Sequence, residues 1–280
     1  MQKLQRSCSI IRPAINTKWN NSLRIMKIAT WNVNSLTVRL EHVLEWMESA
    51  EPDILALQEI KQTNDMFPED AFKEIGYHAI SNGQKTYNGV ALISKQKPKN
   101  TLTEFSDYDD SQRRILISDI GNVRIMNLYI PNGQSVESDK YIYKLSWLKA
   151  LIKHIKGEQE KYKDIIILGD FNIAPEDRDV YDPEKWGEEV LCSPKERQAL
   201  SKMTDLGFVD VFRLFDQDEK SFSWWDYRAA SFRRNAGVRI DLILANESLS
   251  KKCVKSVIDR EPRAWERPSD HTPVIAQFDI

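Results

Sequence analysis

Four carboxylates, four amides, a phenol and an imidazole stand at the ends of short apolar runs in this chain. In "IIILGDFN" (165–172) the run closes on Asp170 and Asn172, two residues apart and therefore on one face of a strand, with Phe171 on the other. "ILALQE" ends on Glu59, "IATWNVN" on Asn32 and Asn34, and "LYIPNG" carries Tyr129 and Asn132. "VRID" places Asp241 at the head of a fifth run, and "RPSDHTPVIAQF" places Asp270 and His271 just before a sixth. Any one of these is what a strand end looks like, because Asp and Asn also open turns. Six of them together are explained by one site fed from six segments.

The residue types define the chemistry. Carboxylate and amide oxygens without a His/Cys cluster are hard ligands, suited to magnesium or manganese rather than zinc. A magnesium ion held by one or two carboxylates keeps open positions for phosphate oxygens. Of the four histidines, His42, His78 and His154 have no such company; a histidine in that position is usually structural. His271 follows Asp270, a possible ligand, and Asp241 is available to orient its ring. The combination points to metal-assisted attack of water on a phosphodiester.

The elements that must position these groups are eight β-rich runs: 27–33, 53–59, 89–94, 113–120, 123–130, 164–171, 239–245 and 273–280. Leu40, Val43, Leu44 and Met47, and again Leu145, Leu148, Ile152 and Ile155, recur at helical spacing. Ser193-Pro194-Lys195-Glu196 reads as a capping box that opens a helix, and Gly207 closes it. No repeat or low-complexity linker interrupts the pattern. The reading is one mixed α/β domain over residues 26–280, its apolar strands covered on both faces.

Composition (41% hydrophobic, 29% charged) is that of a globular protein, and no apolar run is long enough for a membrane span. Cys8, Cys192 and Cys253 have neither metal nor disulfide spacing, which fits a reducing compartment. The net charge of -2 does not exclude a nucleic-acid substrate, since the charge that matters there is local. Residues 1–25 carry Lys3, Arg6, Arg12, Lys18 and Arg24 and no acid. That resembles an organelle-targeting composition. The simpler expectation is an extension outside the domain, with Met26 as the start, and a cytoplasmic, nucleoid-associated enzyme.

"TWNVNS", "LQEIK", "YNGVALIS", "LYIPNG", "LGDFNIAPEDRDVYDP", "FSWWDYRAASFRRNAGVRIDLILAN" and "RPSDHTPV", in this order, resemble the bacterial exodeoxyribonuclease III family of abasic-site endonucleases, within the exonuclease–endonuclease–phosphatase superfamily. "GDFN" and "SDH" specify only phosphoester hydrolysis; the tryptophan–arginine segment and "NIAPEDRDVYDP" are narrower. The resemblance implies a four-layered α/β sandwich, two packed mixed sheets flanked by helices. It implies a monomeric enzyme acting on duplex DNA at abasic sites or 3′ ends, with magnesium and, as substitute, manganese. The metal would be held chiefly by Glu59, with Asn32 and Asp270, in a set completed by Asp170, Asn172 and His271. Asp170 would orient or deprotonate the attacking water. Asn172 would hold water and phosphate, and Tyr129 would stabilise the phosphate or leaving oxygen. His271, buttressed by Asp241, would neutralise growing charge. Asn34, Asn132 and Arg39 would contact metal or DNA backbone; Thr37 stands where many relatives carry a basic residue. The alternatives are a DNA-binding module without catalysis and a superfamily phosphoesterase acting on RNA or small phosphoesters.

The segment "SWWDYRAASFRRNAGVRIDLIL" has too many arginines beside too many rings to be only core. An abasic nucleotide has nothing to stack, so a neighbouring ring can close over its sugar. By its position before "RID", Trp224 corresponds to the family's pocket tryptophan, with Arg228, Arg233, Arg234 and Arg239 directed at phosphates and Trp225 in the core.

Overall fold

The eight apolar runs all form strands. The computed structural model describes residues 25–280; of the expected extension 1–25, residues 1–24 lie outside the described residues, and Ile25 opens the first strand. The first sheet is ordered β11-β12-β1-β2-β4-β3, with β1 Ile25–Asn32, β2 Ile54–Gln58, β3 His78–Asn82, β4 Val90–Ser94, β11 Cys253–Ile258 and β12 Val274–Asp279. The second is ordered β5-β6-β7-β8-β10-β9, with β5 Lys99–Leu102, β6 Ile115–Ile120, β7 Val123–Tyr129, β8 Ile165–Asp170, β9 Phe208–Asp210 and β10 Asp241–Asn246. Each sheet has one parallel pair, β1–β2 and β7–β8, and the rest are antiparallel. A parallel pair needs a crossover. Helix α1 (Leu36–Ala50) lies between β1 and β2 in the chain, and α3 (Asp139–Gln159) between β7 and β8. The shorter helices are α2 (Glu69–Glu74), α4 (Pro183–Trp186), α5 (Pro194–Thr204) and α6 (Glu247–Ser250). The two sheets thus share a connectivity that no sequence repeat announces.

Strand parity sorts the layers. Ile28, Ala56 and Leu92 face Ile125, Ile166, Leu168 and Ile243 between the sheets. The alternate residues face outward: Ala29, Trp31, Leu55 and Leu57 onto Val43, Trp46 and Met47 of α1. Met126, Leu128, Ile165 and Ile167 meet Trp147, Leu148, Leu151 and Ile155 of α3 and Leu200 and Met203 of α5. Burying each Leu or Ile in that outer layer contributes roughly 1.5–3 kcal/mol. The result is the expected four-layered sandwich. The capping box forms as read: Ser193 and Glu196 bond reciprocally with Pro194 at the helix start. Past the helix end Gly207 (φ +89°) donates its N–H to Thr204 O. The stripe of α3 is turned from the expected one: Leu145 and Ile152 are only partly buried, while Tyr141, Lys144 and Trp147 point inward. Lys144 enters because buried acceptors await it, as described below.

Candidate active site

The candidate side chains gather at one rim of the sandwich, on strand ends and on the loops that follow or precede them. Asn32 follows Ile28 and Thr30 in parity and closes β1; Asp170 follows Ile166 and Leu168 and closes β8. The register then sets Asp170 between Tyr129 on parallel β7 and Asp241 on antiparallel β10. Phe171 points outward into the helix layer, so the alternation read from "GDFN" holds.

Asn32 joins the two sheets at this rim. Its Nδ2 donates to Glu59 Oε1 and to Asp170 Oδ2, each at 2.9 Å, and its oxygen accepts the Asn34 N–H at 3.0 Å. Tyr129 Oη donates to Glu59 Oε1 at 2.8 Å. Asp170 Oδ1 accepts the Asn172 N–H at 2.9 Å, and Asn132 Nδ2 donates to Asn172 Oδ1 at 2.9 Å. His271 Nδ1 lies 2.9 Å from Asp241 Oδ2, and its Nε2 lies 3.8 Å from Asp170 Oδ2. Asp270 is held by Asn34 Nδ2 at 2.9 Å on one oxygen and by Trp224 Nε1 at 3.0 Å on the other. Asn34, Glu59 and Asn172 have φ of 43°, 53° and 49°. Such left-handed residues cost of order 1–3 kcal/mol where strained, and they cluster at functional sites. Asn tolerates the conformation; Glu59 is kept in it by its neighbours, its carbonyl taking the Ser35 N–H at 2.7 Å.

Charge is unevenly balanced here. Burial pushes Asp170 up, His271 opposes, and Asp241 and Glu59 add repulsion, leaving the carboxyl at about 7. Burial works against a charged His271, but Asp241 and Asp170 outweigh it and raise the imidazole to about 10. For Glu59, burial is outweighed by the Lys61 ammonium and by hydrogen bonds from Asn32 and Lys61, so it is held below its usual value. Burial, then Glu59, push Tyr129 well above the ordinary phenol range, so it stays a donor.

This donor set fits a hard divalent cation. Ligand atoms of Asp170, Asp241 and His271 lie within 4.8 Å of one another, and Asp241 Oδ1 is buried with no partner among the described residues. On the other side, Glu59 and Asn34 already accommodate a cation: Lys61 Nζ lies 2.8 Å from Glu59 Oε2 and donates to Asn34 Oδ1. His271 Nδ1 is held by Asp241, which orients the ring and turns Nε2 toward Asp170.

The tryptophan–arginine segment borders Asp270 and His271. Trp224 pairs with Val238 and with His271 as isolated bridges, and Trp225 N–H donates to Asp270 O at 2.9 Å. Trp224 is half-buried, its ring centroid 6.5 Å from that of His271. Trp225 is core, as expected, packed edge-on against Phe232. Arg228, Arg233 and Arg234 are exposed at the tip. Arg239 corrects the reading: it is 1% exposed, 2.6 Å from Asp179 Oδ1, and cannot reach a phosphate. The two carboxylates Asp179 and Asp210 draw it in. Arg39 is also engaged internally, donating to the carbonyls of Asn34, Arg267 and Pro268 and to Tyr227 Oη. Thr37 Oγ1 donates to Gln62 Oε1 at 3.1 Å.

Sequence reasoning missed several residues. Lys61 stands in the quoted "LQEIK", two positions after Glu59, but both lie past the end of β2 with φ of 55° and 53°, where strand parity places nothing. Ser269 Oγ donates to Asn32 O at 2.7 Å, and Ser223 Oγ accepts the Asp241 N–H at 3.1 Å. Arg114 lies over the Tyr129 ring at 4.5 Å. A groove of about 730 Å³ opens beside Asn132, lined by Gln84, Tyr87, Asn88, Arg114 and Lys140. These come from segments distant in sequence and carry no shared spacing.

Residues 29–271 match the model of the Endonuclease/Exonuclease/phosphatase family, to which the chain belongs. Within it the chain is a hydrolase of the exodeoxyribonuclease III kind, in a metal-dependent nuclease family. It is 36% identical over 266 residues to Exodeoxyribonuclease III of Haemophilus influenzae, covering 90% of this chain and 100% of that one. It is 33% identical over 258 residues to an Exodeoxyribonuclease of Bacillus subtilis, covering 89% of this chain and 98% of that one. A 3′ phosphatase from Neisseria bound to product DNA hairpin superposes with TM-score 0.90 and 44% identity, over 91% of this chain and 100% of that one. An AP endonuclease from Archaeoglobus fulgidus superposes with TM-score 0.86 and 38% identity, over 91% and 100%. Among the described residues, no helix is long and apolar enough to cross a membrane.

Proposed function

We propose that this chain is a DNA repair nuclease that cuts duplex DNA 5′ to abasic sites and removes nucleotides or blocking groups from 3′ ends, as a monomer. The Asn32 amide carries the reading: it holds Glu59 and Asp170 at 2.9 Å each and so joins a cation-binding side to a water-activating side. Magnesium, or manganese in its place, bound by Glu59 with Asn34 and Asp270 would supply Lewis-acid neutralisation of the phosphate. Asp170, raised to about 7, is poised to take a proton from water near neutral pH. His271, kept charged by Asp241, donates from Nε2 to a phosphate oxygen. Tyr129 donates to the leaving oxygen or phosphate, and Asn172 and Asn132 hold the phosphate's flank. Trp224 closes over the bare sugar, while Arg228, Arg233 and Arg234 meet the backbone on either side. The names of the relatives, a 3′ phosphatase on DNA, an AP endonuclease and two exodeoxyribonucleases, support the same substrate class.

The test is a substrate panel: abasic duplex, 3′-phosphorylated duplex, inositol phosphates and RNA, each in chelator and after adding magnesium or manganese. Cutting of the two duplexes only with added cation is expected. Faster turnover of RNA or the small phosphoesters would reassign the substrate. Duplex binding without cutting under any cation would make the chain a binding module.

A further inference from the structure

Lys144 occupies a place in the buried stripe of α3 where an apolar residue is the ordinary choice. Its side chain is 0% exposed. Its ammonium has three donors and meets three acceptors: Asn172 O at 2.6 Å, Asn132 O at 3.1 Å and the Glu196 carboxylate. The two carbonyls belong to the turns that follow β8 and β7, and the side chains of the same two asparagines are bonded to each other. Asn172 sits in the left-handed region and donates its N–H to Asp170 Oδ1 at 2.9 Å. One buried cation therefore grips, from beneath, the turn that aims Asp170 and the loop that presents Asn132. Glu196 is fixed in its turn, accepting the Leu191 and Ser193 N–H groups at 3.1 Å each at the start of α5.

We infer that Lys144, balanced by Glu196, is a positioning residue of the reaction, holding Asn132 and the Asp170–Asn172 turn in register. The inference rests on the proposed nuclease function for its kinetic consequence. A buried ion pair kept only for stability would look the same in outline, so the test must separate the two. Breaking one partner leaves an unpaired buried charge, which destabilises whatever the function. The double variant Lys144→Met/Glu196→Gln removes both charges; Leu191 and Ser193 use different oxygens of Glu196, so the amide keeps an acceptor for one of the two N–H groups.

The measurements are kcat and KM on abasic duplex with magnesium, duplex affinity in chelator, and the melting temperature. Small displacements of reacting groups are costly to the chemical step, so kcat is expected to fall about tenfold or more with affinity within about threefold. Lys144→Arg, which keeps a cation and its donors, should retain more of kcat than Lys144→Met. A folded double variant with kcat within about twofold of the unaltered chain overturns the inference. Should the double variant not fold, Lys144→Arg decides through the side-chain amide resonances of Asn132 and Asn172, which its differently shaped head must move if Lys144 grips both carbonyls. A further readout needs no activity, so it survives failure of the nuclease reading itself. In chelator, the side-chain amide resonances of Asn132 and Asn172 should shift and broaden in the Lys144 variants; unchanged resonances overturn the inference.

Discussion

Arg239 and Arg233 stand six positions apart in one arginine-rich segment, and the structure assigns them opposite behaviour. Arg239→Met removes a guanidinium that is 1% exposed and 2.6 Å from Asp179 Oδ1. Its Nη2 lies 2.7 Å from Asp210 Oδ2. Breaking a buried pair from one side costs about 3–5 kcal/mol. Arg213 remains on Asp179, so the low end, about 3 kcal/mol, is expected. For a domain of this size about 2–4 °C of Tm goes with each kcal/mol, giving a fall of roughly 6–12 °C. The salt dependence of duplex binding should not change. Arg233→Ala should leave Tm in place and flatten the slope of log affinity against log salt by about 0.9, one phosphate contact. The assays are thermal unfolding and binding to duplex across a salt series in chelator. A flattened slope with an unchanged Tm for Arg239→Met would refute the assignment of this arginine to the interior.

Asp170→Asn and His271→Ala should each lower kcat by about 10²–10⁴-fold with duplex affinity nearly intact if, as proposed, both act on the chemical step; matching losses of affinity and rate in folded protein would make them substrate-positioning groups. Trp224→Ala should lower the ratio of abasic to intact duplex affinity by an amount on the order of 1–3 kcal/mol, with the salt slope unchanged, measured in chelator. Trp224 Nε1 also bonds Asp270 at 3.0 Å, so Trp224→Phe, which keeps a ring and loses that donor, should spare the ratio while changing the cation concentration for half-maximal rate. An unchanged ratio in Trp224→Ala makes the ring packing only.

The central strands were legible because they are apolar on both faces. The edge strands β3, β5, β9 and β11 were not: Lys99–Leu102 is exposed throughout, and pairing along one side alone defines it. The rim site was legible through parity, since residues two apart share a face whatever the tertiary fold. That reasoning paired Asp170 with Asn172 and Asn32 with Asn34; Tyr129 and Asp241 were read only as standing at strand ends, where the structure has them beside Asp170. Parity is silent on where a long cationic side chain ends. Arg239 follows the same alternation as Asp241 yet turns into a carboxylate pair, and Arg39 reaches back to carbonyls of the loop that carries Asp270. Lys144 broke the helical stripe for the same reason: its acceptors are two turns distant in sequence and close only in the fold.

The central claim is that groups from both sheets at this rim form one cation-dependent centre for cutting the backbone at a missing base. One measurement tests it most directly. The purified chain is incubated with a duplex carrying a single abasic site, in chelator and with magnesium, and the ends of the products are mapped. The account predicts one cut immediately 5′ to the site, leaving a 3′-hydroxyl and a 5′-phosphate, only with magnesium present and lost in Asp170→Asn. Equal cutting in chelator, a cut 3′ to the site, or full activity in Asp170→Asn would contradict it.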